Sequence, residues 1–165
     1  MIMIIQEIKD KFFSFLEKHD RKRIIMDRVA CEPYLERYYI FLKDRKIFPF
    51  NVFIHKFLKS DPDEVHDHPW PYATLILKGG YYEWVPEFNS KNEMVGQRRH
   101  WRGPGHFRIC SATSYHRIEL DPSITAWTLF MPGPQKREWG FLVKNKWIPN
   151  GQYLTYKAEH ANNSK

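Results

Sequence analysis

Cysteine is nearly absent: Cys31 and Cys110 are the only two in 165 residues, too few for a disulfide framework, and no Cys-x-x-Cys pair offers a zinc spacing. Glycine loops that cradle phosphate are missing too. Neither a Gly-x-Gly-x-x-Gly nor a Walker sequence occurs, and no Ser-His-Asp order suggests a nucleophilic triad. Long apolar runs are lacking as well. The stretch Met1 to Ile5 is broken by Glu7, Lys9, Asp10 and Lys11 before an export core could form, and nothing approaches the roughly 20 residues of a membrane span. These absences predict a soluble protein of the reducing cytoplasm with no membrane partner.

Aromatic residues, by contrast, are plentiful: six Trp, nine Tyr and twelve Phe. Such flat, bulky side chains suit pleated surfaces and fill sandwich or barrel interiors, so an all-β body is expected, and the length allows one domain across 1–165. Ile5, Ile8, Phe12, Phe15 and Leu16 recur at helical spacing among charged residues, which predicts an N-terminal amphipathic helix over about 3–19 with its apolar stripe packed on the body. From Tyr34 the pattern changes to short runs rich in Tyr, Phe, Ile, Val and Trp. Strands are expected near 34–42, 50–59, 65–68, 72–78, 80–86, 94–101, 105–110, 115–120, 124–131 and 137–143, a barrel of about 34–145. Gly79-Gly80 marks a tight reversal, and Gly103-Pro104-Gly105, Asp121-Pro122 and Pro132-Gly133-Pro134 mark further turns. The tail after Lys157 has little to bury and reads as loose. The net charge of +7 would attract anions, but it is diffuse: Lys18, Arg21, Lys22 and Arg23 read as a solvated helix end, while Arg98, Arg99, Arg102 and Arg108 form a second group.

The most specific signal is His66-Asp67-His68, answered by His116 in a later β-like segment. In an extended strand alternate side chains share a face, so His66 and His68 can offer imidazole nitrogens to one metal ion, and closure of a barrel would bring in His116. The competing reading is structural, with each histidine satisfying a backbone carbonyl. Asp67 must point away from its neighbours if the strand is regular. His55 reads as a residue of the barrel wall, and His106 as a surface histidine or a neighbour of the site.

With these residues in hand, the chain resembles the cupin superfamily. The first cupin motif is matched by His66, His68 and the Gly79-Gly80 turn, and the second by Gly105 and His116. The strings His-Asp-His-Pro-Trp-Pro, Gly-Gly-Tyr-Tyr-Glu, His116-Arg117-Ile118, Trp127-Thr128-Leu129-Phe130 and Arg137-Glu138-Trp139-Gly140-Phe141 look like those of poorly characterised cupin-like proteins of bacteria and phages. The resemblance implies a double-stranded β-helix, or jelly-roll barrel, with a metal in its mouth and a homodimer paired through outer strands. Many cupins carry a glutamate ligand where this chain has Tyr72, Ala73 or Thr74, so the implied ligand set is three histidines, as in cysteine-dioxygenase-like cupins. The implied metal is Fe(II), with zinc, nickel and manganese as alternatives. Three neutral imidazoles leave the full charge on the ion and favour an anionic small molecule as substrate.

Around this centre, Glu83 is the candidate fourth ligand or general base and Tyr81 a second proton carrier. Arg102, Arg108 and Arg117 are candidates to clamp the anion, with Trp127 lining the pocket. The expected activity is that of a dioxygenase-like metalloenzyme. The alternative is a non-catalytic module that sequesters or senses a nucleotide-like ligand, and nucleic acid itself is a weaker partner.

Overall fold

The computed structural model describes residues 2–43 and 48–161. Helix α1 (Ile2–Lys18) leads into β1 (Lys22–Met26), β2 (Pro33–Tyr39), β3 (Phe53–Phe57), β4 (Tyr72–Lys78), β5 (Tyr81–Phe88) and β6 (Met94–Arg102). Then follow β7 (Phe107–Cys110), β8 (Arg117–Glu119), β9 (Ala126–Pro132), β10 (Gly140–Val143), β11 (Lys146–Pro149) and a closing helix, α2 (Tyr153–Ala161). All strand pairs are antiparallel, as expected of the all-β body.

One sheet runs β1-β2-β3-β9-β4-β7 and a second β6-β5-β8, with β10-β11 as a separate hairpin. Strand β9, far away in sequence, pairs between β3 and β4 within the large sheet. Its inner face contributes Leu35, Phe57, Ile76 and Ala126 to the core, where they meet Tyr81 and Ile118 of the small sheet. Burial alternates strictly along β3 and the first part of β4, which is the period-2 signature of strands with one face inward. At the β4–β5 reversal Gly79 has φ +72°, and an added Cβ there would run into the Thr125 backbone.

Three sequence expectations change. Lys22–Met26 is a strand and not a solvated helix end: it pairs with β2 at the edge of the sheet, where charged residues are tolerated because one side of the ladder faces water. The tail is not loose at Lys157, and the rest of that expectation, 162–165, lies outside the described residues. Tyr153, fully buried, stacks on Phe141 with ring centroids 3.8 Å apart and anchors a helix that runs to Ala161. The stripe of α1 does not pack as a whole. Ile8, Phe12 and Phe15 are exposed, and the helix docks through Leu16 and through Phe13, whose ring meets Tyr38 and Trp127 at 4.7 and 5.1 Å. Among the described residues no helix is long and apolar enough to cross a membrane.

Candidate metal centre

The segment carrying His66 and His68 lies between β3 and β4 and is gripped from both sides by backbone hydrogen bonds. The His66 amide donates to the His116 carbonyl and the His116 amide to the His66 carbonyl, both at 2.9 Å. On the other side the Asp67 amide donates to the Gly140 carbonyl at 3.0 Å and the Leu142 amide to the Val65 carbonyl at 2.8 Å. This pairing is what brings His116, distant along the chain, beside His66.

The three rings converge. Their centroids are 5.0 to 5.4 Å apart, and each ring offers a nitrogen within 4.8 Å of the other two. His68 Nε2 and His116 Nε2 are separated by 2.8 Å. Two nitrogens bound at right angles to one ion, each about 2.1 Å from it, stand about 3 Å apart, so this pair is at ligand spacing. Outer partners orient two of the rings. His116 Nδ1 donates to Glu83 Oε1 at 3.0 Å, and His66 Nδ1 faces the Glu64 carbonyl at 3.4 Å, which leaves each Nε2 for the shared space. Burial pushes His66 down to about 4 and His68 well below its ordinary value, so both are neutral and able to ligate at physiological pH. The donor set fits a divalent metal such as iron or zinc.

No protein-family model matches the chain, and no curated protein is significantly similar to it. Solved structures are similar in fold. A cupin-2 domain protein from Rhodospirillum rubrum superposes with a TM-score of 0.53 over 85% of this chain and 84% of that one, at 11% identity. The polyketide cyclase RemF from Streptomyces resistomycificus gives 0.52 over 80% and 87%, at 14% identity. Fe(II)-HppE gives 0.50 over 68% and 56%, at 11% identity. The chain has the cupin fold.

In this cupin barrel a cavity of about 300 Å³ opens onto the triad. Glu83 lines it, with its side chain 3% exposed and both carboxylate oxygens engaged: Oε1 by His116, Oε2 by Arg102 at 2.8 Å and by Arg108. Burial would raise its pKa, but the hydrogen bond from His116 and the nearby arginines outweigh this and hold it at about 2. Glu83 therefore orients His116 and neutralises two arginines. It is not free to be a fourth ligand or a base. Tyr81 lines the cavity beside it, with burial and the Glu83 charge raising its phenol pKa, so it stays a proton donor.

None of the four residues expected to contact a substrate lines the cavity. Arg102 and Arg108 stand behind Glu83, and Arg117 lies outside the small sheet over the Trp84 ring at 5.5 Å. Trp127 is on the outer face of β9, against Phe13 of α1 and 5.7 Å from Lys56 Nζ. The cations that do line the cavity are Arg28 and Arg37. Arg37 shares the parity of Leu35 on β2 and pairs in register with His55, and a lone arginine at the alternation of an inward leucine is the sequence signal for it. Arg28 follows the unrecognised β1, its guanidinium over Trp139 at 4.7 Å.

Proposed function

We propose that this cupin-fold chain is a mononuclear metalloenzyme of dioxygenase-like type that binds an anionic small molecule, with His66, His68 and His116 as ligands. The convergence of three imidazole rings in an aromatic-lined cavity carries this reading. A bound Fe(II) would supply open positions where a substrate and dioxygen can meet, whereas zinc, nickel or manganese would supply Lewis acidity alone. The protein's own residues do the rest. Glu83 fixes the tautomer and direction of His116, Tyr81 offers a proton to the cavity, and Tyr72, Phe130 and Phe141 limit the water in it. The TM-score of 0.50 to Fe(II)-HppE supports the fold's capacity to hold iron, and the likeness to a polyketide cyclase supports the same cup working on a carbon skeleton.

Anaerobic reconstitution with Fe(II), followed by elemental analysis, tests the metal. Wild type is expected to hold close to one ion per chain and His68→Ala at least tenfold less at the same free iron. Equal iron in both proteins ends the proposal.

A second reading is a binding module that sequesters or senses a small ligand. It is favoured by the full engagement of Glu83, which leaves that carboxylate without a role as base. Mass spectrometry of molecules released from the purified protein separates the two, since an unaltered tight ligand supports binding and conversion of it supports catalysis.

A further inference from the structure

We propose that the cavity takes a carboxylate carried on a flat apolar body, and that Arg37 is the residue that reads it. The inference deepens the proposed function by naming a substrate class and the residue that selects it.

Five arginines of the described residues pair with carboxylates, whereas the two that line the cavity, Arg28 and Arg37, form no such ion pair. Arg102 and Arg108 share Glu83, Arg137 meets Asp67 at 2.9 Å, Arg99 meets Glu119 at 2.5 Å, and Arg98 meets Glu87. Arg37 lines the cavity and has no carboxylate partner among the described residues. Its Nε donates to His55 Nε2 at 3.0 Å, and an imidazole nitrogen that accepts a hydrogen bond is unprotonated. His55 is itself buried, stacked on Phe130 at 5.0 Å, and flanked in register by Arg37 and Thr128. The guanidinium is also held over the Phe53 ring at 4.9 Å and beside the Tyr39 side chain, and none of these neutral partners supplies a counter-charge.

A half-buried cation without a counter-charge is costly, and the cost is relieved when a carboxylate supplies it. The guanidinium fork matches the two oxygens of a carboxylate in one plane. Arg28, the other cation on the cavity wall, is a poorer candidate because Asp63 lies close enough to offset it and because Asn150 Oδ1 accepts from it. Arg37 lines the same cavity as His66, His68 and His116, so an anion held by Arg37 shares that space with the triad. The remaining wall sets the body of the ligand. Phe57, Tyr72, Tyr81, Phe130 and Phe141 enclose a volume of about 300 Å³, room for one ring on a short stem.

Titration calorimetry with phenylacetate and phenylacetamide tests the assignment, because the two differ in charge and hardly in shape. Each is titrated into protein as purified and after chelator stripping, for wild type, Arg37→Gln, Arg37→Lys and Arg117→Gln. Wild type is expected to bind the acid at least tenfold tighter than the amide. Arg37→Gln should bind both equally while its amide affinity stays at the wild-type value. Arg37→Lys, which keeps the charge and loses the fork, should retain a few-fold preference, and Arg117→Gln the whole of it. Equal binding of acid and amide by wild type, binding of neither, or a preference that survives in Arg37→Gln overturns the proposal. Tighter, Arg37-dependent binding of phenyl phosphate overturns the choice of carboxylate. Because the preference is read in stripped protein, it is independent of the metal. Loss of the preference in a protein that still holds iron sinks this inference alone, and its presence in a protein that holds no iron sinks the metal proposal alone.

Discussion

Two buried carboxylates flank the triad and do opposite work. Asp67 sits between His66 and His68 in sequence but points away from them. Its Oδ1 accepts from the Gly140 amide at 2.7 Å, and Oδ2 accepts from Trp147 Nε1 at 3.0 Å and meets Arg137. Glu83 comes from the facing sheet, points inward, and reaches His116 Nδ1. One acid ties the His66–His68 segment to the β10–β11 hairpin. The other ties the His116 ring to two cations. The same residue chemistry therefore separates into a lock for the backbone and a lever on the site, according to which face of an extended strand carries it.

Breaking the lock should have the largest effect. Asp67→Ala leaves a fully buried backbone N–H, an indole N–H and a partly exposed arginine without their acceptor, and loss of one member of such a group costs about 3–5 kcal/mol. Chemical denaturation should show a fall of this order in unfolding free energy. The molecules that stay folded should bind metal within threefold of wild type. Glu83→Gln should act the other way round. Outer-sphere partners of a ligand histidine are worth about 10–100-fold in metal affinity, so competition with a chelator should report a loss in that range. If Asp67→Ala weakened metal binding as much as Glu83→Gln does, the division of labour would be wrong.

The acid limb of stability sharpens the same contrast in metal-free protein. Glu83 is held at about 2, below its ordinary 4.5, so its contribution is fully present above pH 4.5 and is lost as pH falls from 4.5 towards 2. Asp67 is shifted the opposite way: burial raises its pKa above 3.8, against the pull of Gly140 and Arg137. Its folded form takes up a proton before the unfolded form does, and so gains relative stability as pH falls. Glu83→Gln should flatten the dependence of unfolding free energy on pH between 4.5 and 2, and Asp67→Asn should steepen it. Parallel curves for the two variants would contradict the assignment.

The triad was legible in the sequence because its signal is local twice over: a two-residue period places His66 and His68 on one face, and the turn-strand rhythm places His116 on a neighbour. The strands were legible for the same reason. What failed was everything set by pairing. Arg102, Arg108 and Arg117 are close to Glu83 or His116 along or across the chain, but whether each faces the cavity depends on register and on which acid captures it. Arg37 was easy to overlook, because Tyr34, Leu35, Tyr38 and Tyr39 make both faces of β2 look apolar and so mask the parity that Arg37 shares with Leu35. Likewise α1 carries apolar residues around much of its circumference, so the stripe Ile8, Phe12 and Phe15 did not predict docking through Phe13.

The smallest expected effect comes from Arg117, which the sequence places next to His116 and the fold turns away from the cavity. Its neighbours His116 and Ile118 line the cavity, whereas Arg117 lies on the opposite face with Trp84, across from which Arg99 meets Glu119. A cation over a ring near the surface is worth about 0.5–1 kcal/mol, and here a second cation, Arg99, stands 5.8 Å from the half-buried Trp84 ring and can take its place. Arg117→Gln should therefore shift unfolding free energy by no more than about 0.5 kcal/mol, within the range of ordinary surface changes, and leave metal content unaltered. A loss of metal on this substitution would mean that charge acts through the sheet rather than through contact, and the distinction between a residue beside the site and a residue in it would fall.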